Sequence, residues 1–168
     1  SQLPHVNVVA CCFGCQAVAV ALGGRVGANE SKTFAFGKET ISVALDAIPA
    51  SLNKSAREWA PTPPSKDVKQ GTVAIEMLES HGEQVLELLP GASLLATSPS
   101  APFEIFLCGA AGNVLCCQAH PELDAAMLRD RIEPALRGAG KLNQSQLAVL
   151  QDDPAGFYSS PVEGGGCG

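Results

Sequence analysis

Residues 6–11 (VNVVAC) form a short, uncharged, valine-rich run, the pattern of a strand buried on both faces in a parallel sheet. Residues 16–22 (QAVAVAL) stay apolar and stop at Gly23-Gly24, which predicts a buried helix. Between the two, Cys12, Phe13 and Gly14 leave room for a sharp strand-to-helix turn. Residues 33–45 read as two strand pieces broken at Gly37. Residues 46–70 are polar and hold Pro49, Pro61, Pro63 and Pro64, so a surface excursion is expected, with one helical turn near residues 55–59. Residues 72–78, 92–97, 103–108 and 113–118 each predict a short strand, and the last two are joined by a hairpin-like turn at 109–112. Residues 122–136 place Leu128, Ile132 and Leu136 on one helical stripe, with Pro134 as a kink or stop. Residues 143–151 predict a last short helix, and the tail 164–168 is expected to be disordered.

This inventory holds a single β-turn-α unit, at its start, where a doubly wound sheet has several. The chain reads as an α/β domain whose beginning is missing. Its 168 residues suit one domain, and 46% hydrophobic with 17% charged residues excludes a disordered chain. Aromatics are only 5%, so the core is expected to be built from small aliphatic side chains. A net charge of -6 argues against a nucleic-acid binder with a basic face and against docking on anionic membranes. No charged residue precedes Arg25, which raises a membrane or export reading. A signal peptide needs a basic start, which is lacking here, and Asn7, Gly14, Gln16, Gly23 and Gly24 interrupt the run too often for a span.

Seven cysteines are present, an odd number. The pairs Cys11-Cys12 and Cys116-Cys117 sit in strand-like runs, where neighbours point to opposite faces. That is poor geometry for a disulfide framework and suits small buried hydrophobes, so Cys11, Cys108, Cys116 and Cys117 are expected in the core and a reducing, cytoplasmic setting is expected for the chain. Cys12 and Cys15 match the bare CxxC spacing of redox proteins. Zinc would want a second paired motif, and Cys116-Cys117 with His120 is badly spaced for one, so no metal is expected.

A nucleophile on a strand-to-helix turn is lifted above the sheet edge, and the helix N-terminus favours its thiolate. Cys12 occupies that position. The base is sought in Gln118-Ala119-His120-Pro121-Glu122, just past a strand end. His120 would activate Cys12, and Glu122 would orient the imidazole. The bland alternatives are a buried structural thiol at Cys12 and a helix-capping role for His120 and Glu122. His81 reads as a loop residue rather than a catalyst.

Three blocks together resemble the class I (triad-type) glutamine amidotransferase domains, in the branch of GMP synthases and γ-glutamyl peptidases. They are Cys12-Phe13-Gly14-Cys15-Gln16 with its helix ending in Gly23-Gly24, then Glu79-Ser80-His81-Gly82-Glu83-Gln84-Val85 running on to Ala96-Thr97-Ser98, and finally Gln118-Ala119-His120-Pro121-Glu122. They cover most of residues 6–136. The resemblance implies a three-layer, flavodoxin-like fold with a mixed sheet, here lacking its N-terminal segment, over residues 1–137, with 138–168 as a C-terminal extension. It implies hydrolysis of the glutamine side-chain amide, or of a γ-glutamyl amide, through Cys12, His120 and Glu122 and a γ-glutamyl thioester. It also implies substrate contacts from Phe13, Gln16, Ser80, Gly82 and Glu83, no cofactor, and a synthetase partner chain to receive ammonia. Ala10, Cys15 and Ala119 depart from the family's usual residues, and the loop that supplies its second oxyanion donor is expected upstream of Ser1. A catalytically inactive binding or regulatory subunit and a CxxC redox protein stand as the alternatives.

Overall fold

The computed structural model describes residues 5–49 and 71–152. The excursion expected at 46–70 lies outside the described residues from residue 50 on, its helical turn included, and so does the glycine-rich tail. Among the described residues eight strands occur in the order β1 (Val8–Cys11), β2 (Arg25–Ala28), β3 (Ala35–Ala44), β4 (Thr72–His81), β5 (Glu83–Glu87), β6 (Ser93–Thr97), β7 (Ile105–Cys108) and β8 (Val114–Cys117). Six of them form a mixed sheet in the order β1-β8-β7-β6-β3-β4, and β2 with β5 forms a separate two-stranded sheet. Only β1 and β8 run parallel; the other neighbours in the large sheet are antiparallel. Helix α1 (Phe13–Ala21) follows β1 directly.

Several expectations change. β1 was expected to be buried on both faces, yet it is the edge strand, and Val9 is 67% exposed. An edge strand has one neighbour, so a row of its backbone groups is unpaired among the described residues, and Val8 beside Val9 is also exposed. Residues 33–45 were expected in two pieces, but β3 is one strand paired with β4 over its whole length, Ala35↔His81 through Ala44↔Thr72. Gly37 takes φ 108° inside that ladder, a conformation a side chain would resist, so the glycine bends the strand without ending it. β2 and β5 escaped the sequence reading because Arg25–Ala28 and Glu83–Glu87 are short and lack a clear alternating pattern, and each is a strand only through the other.

The region 122–136 also differs from a plain helix. Asp124 caps α2 (Ala125–Met127) by accepting from the Met127 N–H at 2.7 Å. A π turn, Leu128–Ile132, follows, and α3 (Glu133–Gly138) begins with Pro134 in its first turn, where the missing N–H does no harm. The expected stripe is real: Leu128, Ile132 and Leu136 pack with Phe36, and α4 (Gln144–Asp152) adds Leu147 and Leu150 to the same cluster. A second cluster lies under α1, where Cys15 and Ala19 meet Val85, Phe106, Cys108 and Cys116. Gly24 is required there, because a Cβ would come 2.7 Å from the Glu87 carbonyl oxygen. Among the described residues no helix is long and apolar enough to cross a membrane.

Candidate active site

The parallel pair decides where the chemistry sits. Parallel strands end on the same side, so the residues following β1 and β8 meet. Cys11 is in register with Cys117, and the Cys12 N–H donates to the Cys117 carbonyl at 2.8 Å. The third contributor is Gly82, the single residue between β4 of the large sheet and β5 of the small one. The chain switches sheets there, which brings residues 80–83 against the same edge.

Cys12 has φ 45° and ψ -109°. Such a backbone costs a residue with a Cβ about 1–3 kcal/mol, and it persists only where the surroundings impose it. Here the strand before it and the helix after it do so. Its side chain makes no cap bond to the helix. The thiol instead donates to the Ser80 carbonyl at 3.8 Å and receives the Gln118 Nε2 at 3.6 Å, and it is the largest influence on the neighbouring His120 imidazole.

His120 is held by its backbone N–H, which donates to the Leu78 carbonyl at 2.9 Å. Its Nδ1 lies 2.7 Å from Glu122 Oε1, which leaves Nε2 for the thiol. The hydrogen bond to Cys12 pushes the imidazole up to about 9; burial opposes this and Glu122 adds to it. Burial works against ionised Glu122, but its bonds to His120 prevail and hold its carboxyl below the usual range. His120 therefore carries its proton at neutral pH, and Glu122 is the anion that supports it.

On the loop side, Gln16 is buried on the first turns of α1, and its Nε2 donates to the Glu83 carbonyl at 2.7 Å and to Gln118 Oε1 at 3.2 Å. The Gly82 carbonyl accepts the Asn29 N–H at 3.1 Å. His81 is buried, with Nδ1 3.1 Å from Asn29 Oδ1 and 3.0 Å from the Glu83 carbonyl, so it braces the loop. Phe13 is 78% exposed, and its backbone N–H opens α1 beside the sulfur. Of the residues expected from sequence, Cys12, Gln16, Ser80, Glu83, His120 and Glu122 thus form one cluster. Gly82 lies on its loop, and Phe13 is exposed at the start of α1.

The thiols divide as the strand geometry requires, with one correction. Cys108, Cys116 and Cys117 are buried, but Cys11 is only half-buried and faces Glu122. Burial, and then the Glu122 charge, push the Cys11 thiol up. Cys15 turns into the core on the first turn of α1, where its hydrogen bond to Cys116 and its burial push its thiol far up. That is the opposite of a reactive redox cysteine. No cluster of metal-ligating side chains occurs among the described residues.

Two residues beneath the site were not singled out from sequence. Glu104 is fully buried; its carbonyl accepts the Gln118 N–H at 2.8 Å, and its Oε1 accepts the Ala119 N–H at 2.8 Å, so it secures the corner that presents His120. Glu79, buried beside it, has Oε2 3.2 Å from His81 Nε2. Burial, and then the Glu39 charge, push Glu79 up to about 8. Burial, and then Glu79, push Glu104 up to about 7, against the Ala119 and Ser98 hydrogen bonds. The available signal was a carboxylate inside an otherwise apolar strand run, Phe103-Glu104-Ile105-Phe106-Leu107.

No family model matches the chain. It is 32% identical over 118 residues to a GMP synthase (glutamine-hydrolyzing) of Ralstonia pickettii, an alignment covering 70% of this chain and 20% of that protein. It is 29% identical over 140 residues to γ-glutamyl peptidase 4 of Arabidopsis thaliana, covering 83% of this chain and 49% of the peptidase. A solved glutamine amidotransferase of Methylobacillus flagellatus matches with a TM-score of 0.57 at 22% identity, covering 94% of this chain and 52% of the other. The chain thus spans about a fifth of the synthase and about half of the peptidase.

Proposed function

We propose, from the premise that this chain is homologous to GMP synthases and γ-glutamyl peptidases and has the glutamine amidotransferase fold, that it hydrolyses the side-chain amide of glutamine or a γ-glutamyl amide. The observation that carries this reading is Cys12 itself, held at φ 45° on a strand-to-helix turn where the strand end beside it presents His120, whose Nδ1 is 2.7 Å from a carboxylate.

In the proposed reaction the Cys12 sulfur attacks the γ-glutamyl carbonyl carbon, and its electron pair becomes the S–C bond. The oxygen takes negative charge and faces the Phe13 N–H at the start of α1; one such donor is typically worth about 3 kcal/mol in the transition state. The C–N bond breaks as His120 Nε2 gives its proton to the leaving nitrogen. Ammonia or an amine departs and a thioester remains. Neutral His120 then takes a proton from water, the hydroxide attacks the thioester, and the sulfur leaves with glutamate released. Glu122 stabilises the imidazolium in both steps. Gln16, Ser80, Gly82 and Glu83 form the side that receives the glutamyl α-end. A synthetase partner would take up the ammonia, and a reducing compartment such as the cytoplasm would keep the thiol active. Labelling with a diazoketone analogue of glutamine tests the reading: Cys12 is modified and Cys12→Ser is not. Folded protein that resists the reagent would remove it.

A further inference from the structure

We infer that Gln118 is a catalytic residue: its side-chain amide donates a hydrogen bond to the Cys12 sulfur and holds the thiolate that the proposed reaction needs. Gln118 directly follows β8 and is completely buried, with Nε2 3.6 Å from Cys12 Sγ and Oε1 3.2 Å from Gln16 Nε2. A glutamine amide can be turned either way, so its direction has to be argued from its neighbours. Here a backbone group settles it. Gln16 Nε2 lies 2.7 Å from the Glu83 carbonyl, which can only accept. The Gln16 nitrogen therefore faces Glu83 and also faces Gln118, which must present its oxygen in return. The Gln118 nitrogen is then left pointing at the sulfur.

One backbone carbonyl thus sets the polarity of a buried line, Glu83–Gln16–Gln118–Cys12, that ends in a donor. A bond from a buried N–H to an ionised acceptor is stronger than one to a neutral acceptor, so it favours the thiolate over the thiol. It acts alongside His120, two residues further past the same strand end, whose imidazole the sulfur influences most. The Gln118 bond is weakened as the sulfur gives its electron pair to the glutamyl carbon, and it is restored when the thioester collapses and the sulfur leaves. The same line ties the nucleophile to Glu83, so movement of the substrate-side loop reaches the sulfur through two amides.

The inference rests on Cys12 being the nucleophile, but its test reads the thiol and not turnover. Alkylation of Cys12 by iodoacetamide is followed against pH by fragment mass spectrometry, which separates Cys12 from Cys11. Gln118→Met keeps the volume and removes the donor; Gln118→Glu keeps the shape and the bond from Gln16 but turns an acceptor to the sulfur. At pH 6.5 alkylation should fall about tenfold in the first and further in the second, with the limiting rate at high pH unchanged. Profiles that superimpose on that of the unsubstituted chain, in variants with native near-ultraviolet circular dichroism, overturn the inference. Should neither variant fold, the unsubstituted chain answers by NMR: the Gln118 side-chain amide signals move with the Cys12 alkylation midpoint, and static signals overturn it. Altered profiles in a chain that no glutamine analogue labels would keep this inference and sink the hydrolytic reading.

Discussion

Glu79→Gln should make the protein more stable, and increasingly so as the pH rises. Glu79 is 1% exposed on β4, its Oε2 is 3.2 Å from His81 Nε2, and Glu39 and Glu104 are the nearby like charges. His81 Nδ1 faces two acceptors, Asn29 Oδ1 and the Glu83 carbonyl, so it carries a proton. Asn29 cannot be turned, because its Nδ2 donates to the Thr33 and His81 carbonyls. Neutral His81 therefore offers only an acceptor at Nε2, and burial, the main influence on its pKa, holds it below the ordinary value. Both Glu79 carboxylate oxygens are buried without a hydrogen-bond partner among the described residues, so nothing beside them supports the ionised form. With Glu79 raised from 4.5 to about 8, the fold prefers the protonated acid. That preference stabilises fully below about pH 4.5 and is lost as the pH rises through about 8. The loss amounts to about 3 kcal/mol by pH 7 and about 5 kcal/mol above pH 9. Glutamine keeps the shape but never ionises. Urea unfolding of both proteins from pH 5 to pH 9 checks this. The difference in unfolding free energy should climb steadily across that range, and a flat difference would show that Glu79 does not ionise at a cost inside the fold.

Three shorter tests follow. In Cys12→Ser the chief partner that raises His120 is weakened, so the imidazole titration read by NMR should drop from about 9 towards an ordinary histidine. Because that pKa is raised, His120 stabilises the fold fully below about pH 6.5 and ceases to do so as pH passes about 9. Asp124→Ala removes the cap on α2 and should lower stability by about 1 kcal/mol in urea, leaving labelling of Cys12 unchanged. Cys15→Ser should retain hydrolysis, since Cys15 faces Cys116 in the core; loss of activity in a folded variant would revive the CxxC redox reading.

The elements that were legible in sequence carry their own signal. A valine-rich run and a glycine pair at a helix end mark a strand and a helix, though Val9 and Val20 are more exposed than the run suggests, and the stripe of Leu128, Ile132 and Leu136 reports burial through periodicity alone. The same holds for Cys12 before a helix and His120-Pro121-Glu122 after a strand. Others were hidden because the deciding partner is distant. β2 is a strand only against β5, and β3 continues through Gly37 because β4 pairs with it on both sides of the glycine. Cys11 looks like a core thiol until β1 proves to be an edge whose end meets Glu122.

Local pattern determined which chemistry the chain holds: a thiol on a turn, a histidine with a carboxylate two residues on, and an acidic glycine-containing loop. Tertiary structure decided how those groups act on one another. The single parallel pairing of β1 with β8 puts two strand ends side by side across more than 100 residues of sequence. Hydrogen-bond direction and proton ownership then follow from neighbours that no spacing rule connects. Glu83 orients Gln118 through Gln16, and Asn29 with the Glu83 carbonyl fixes the proton on His81. A sequence records which donors and acceptors exist, but their polarity is set only when burial removes water and leaves each facing neighbours of fixed character.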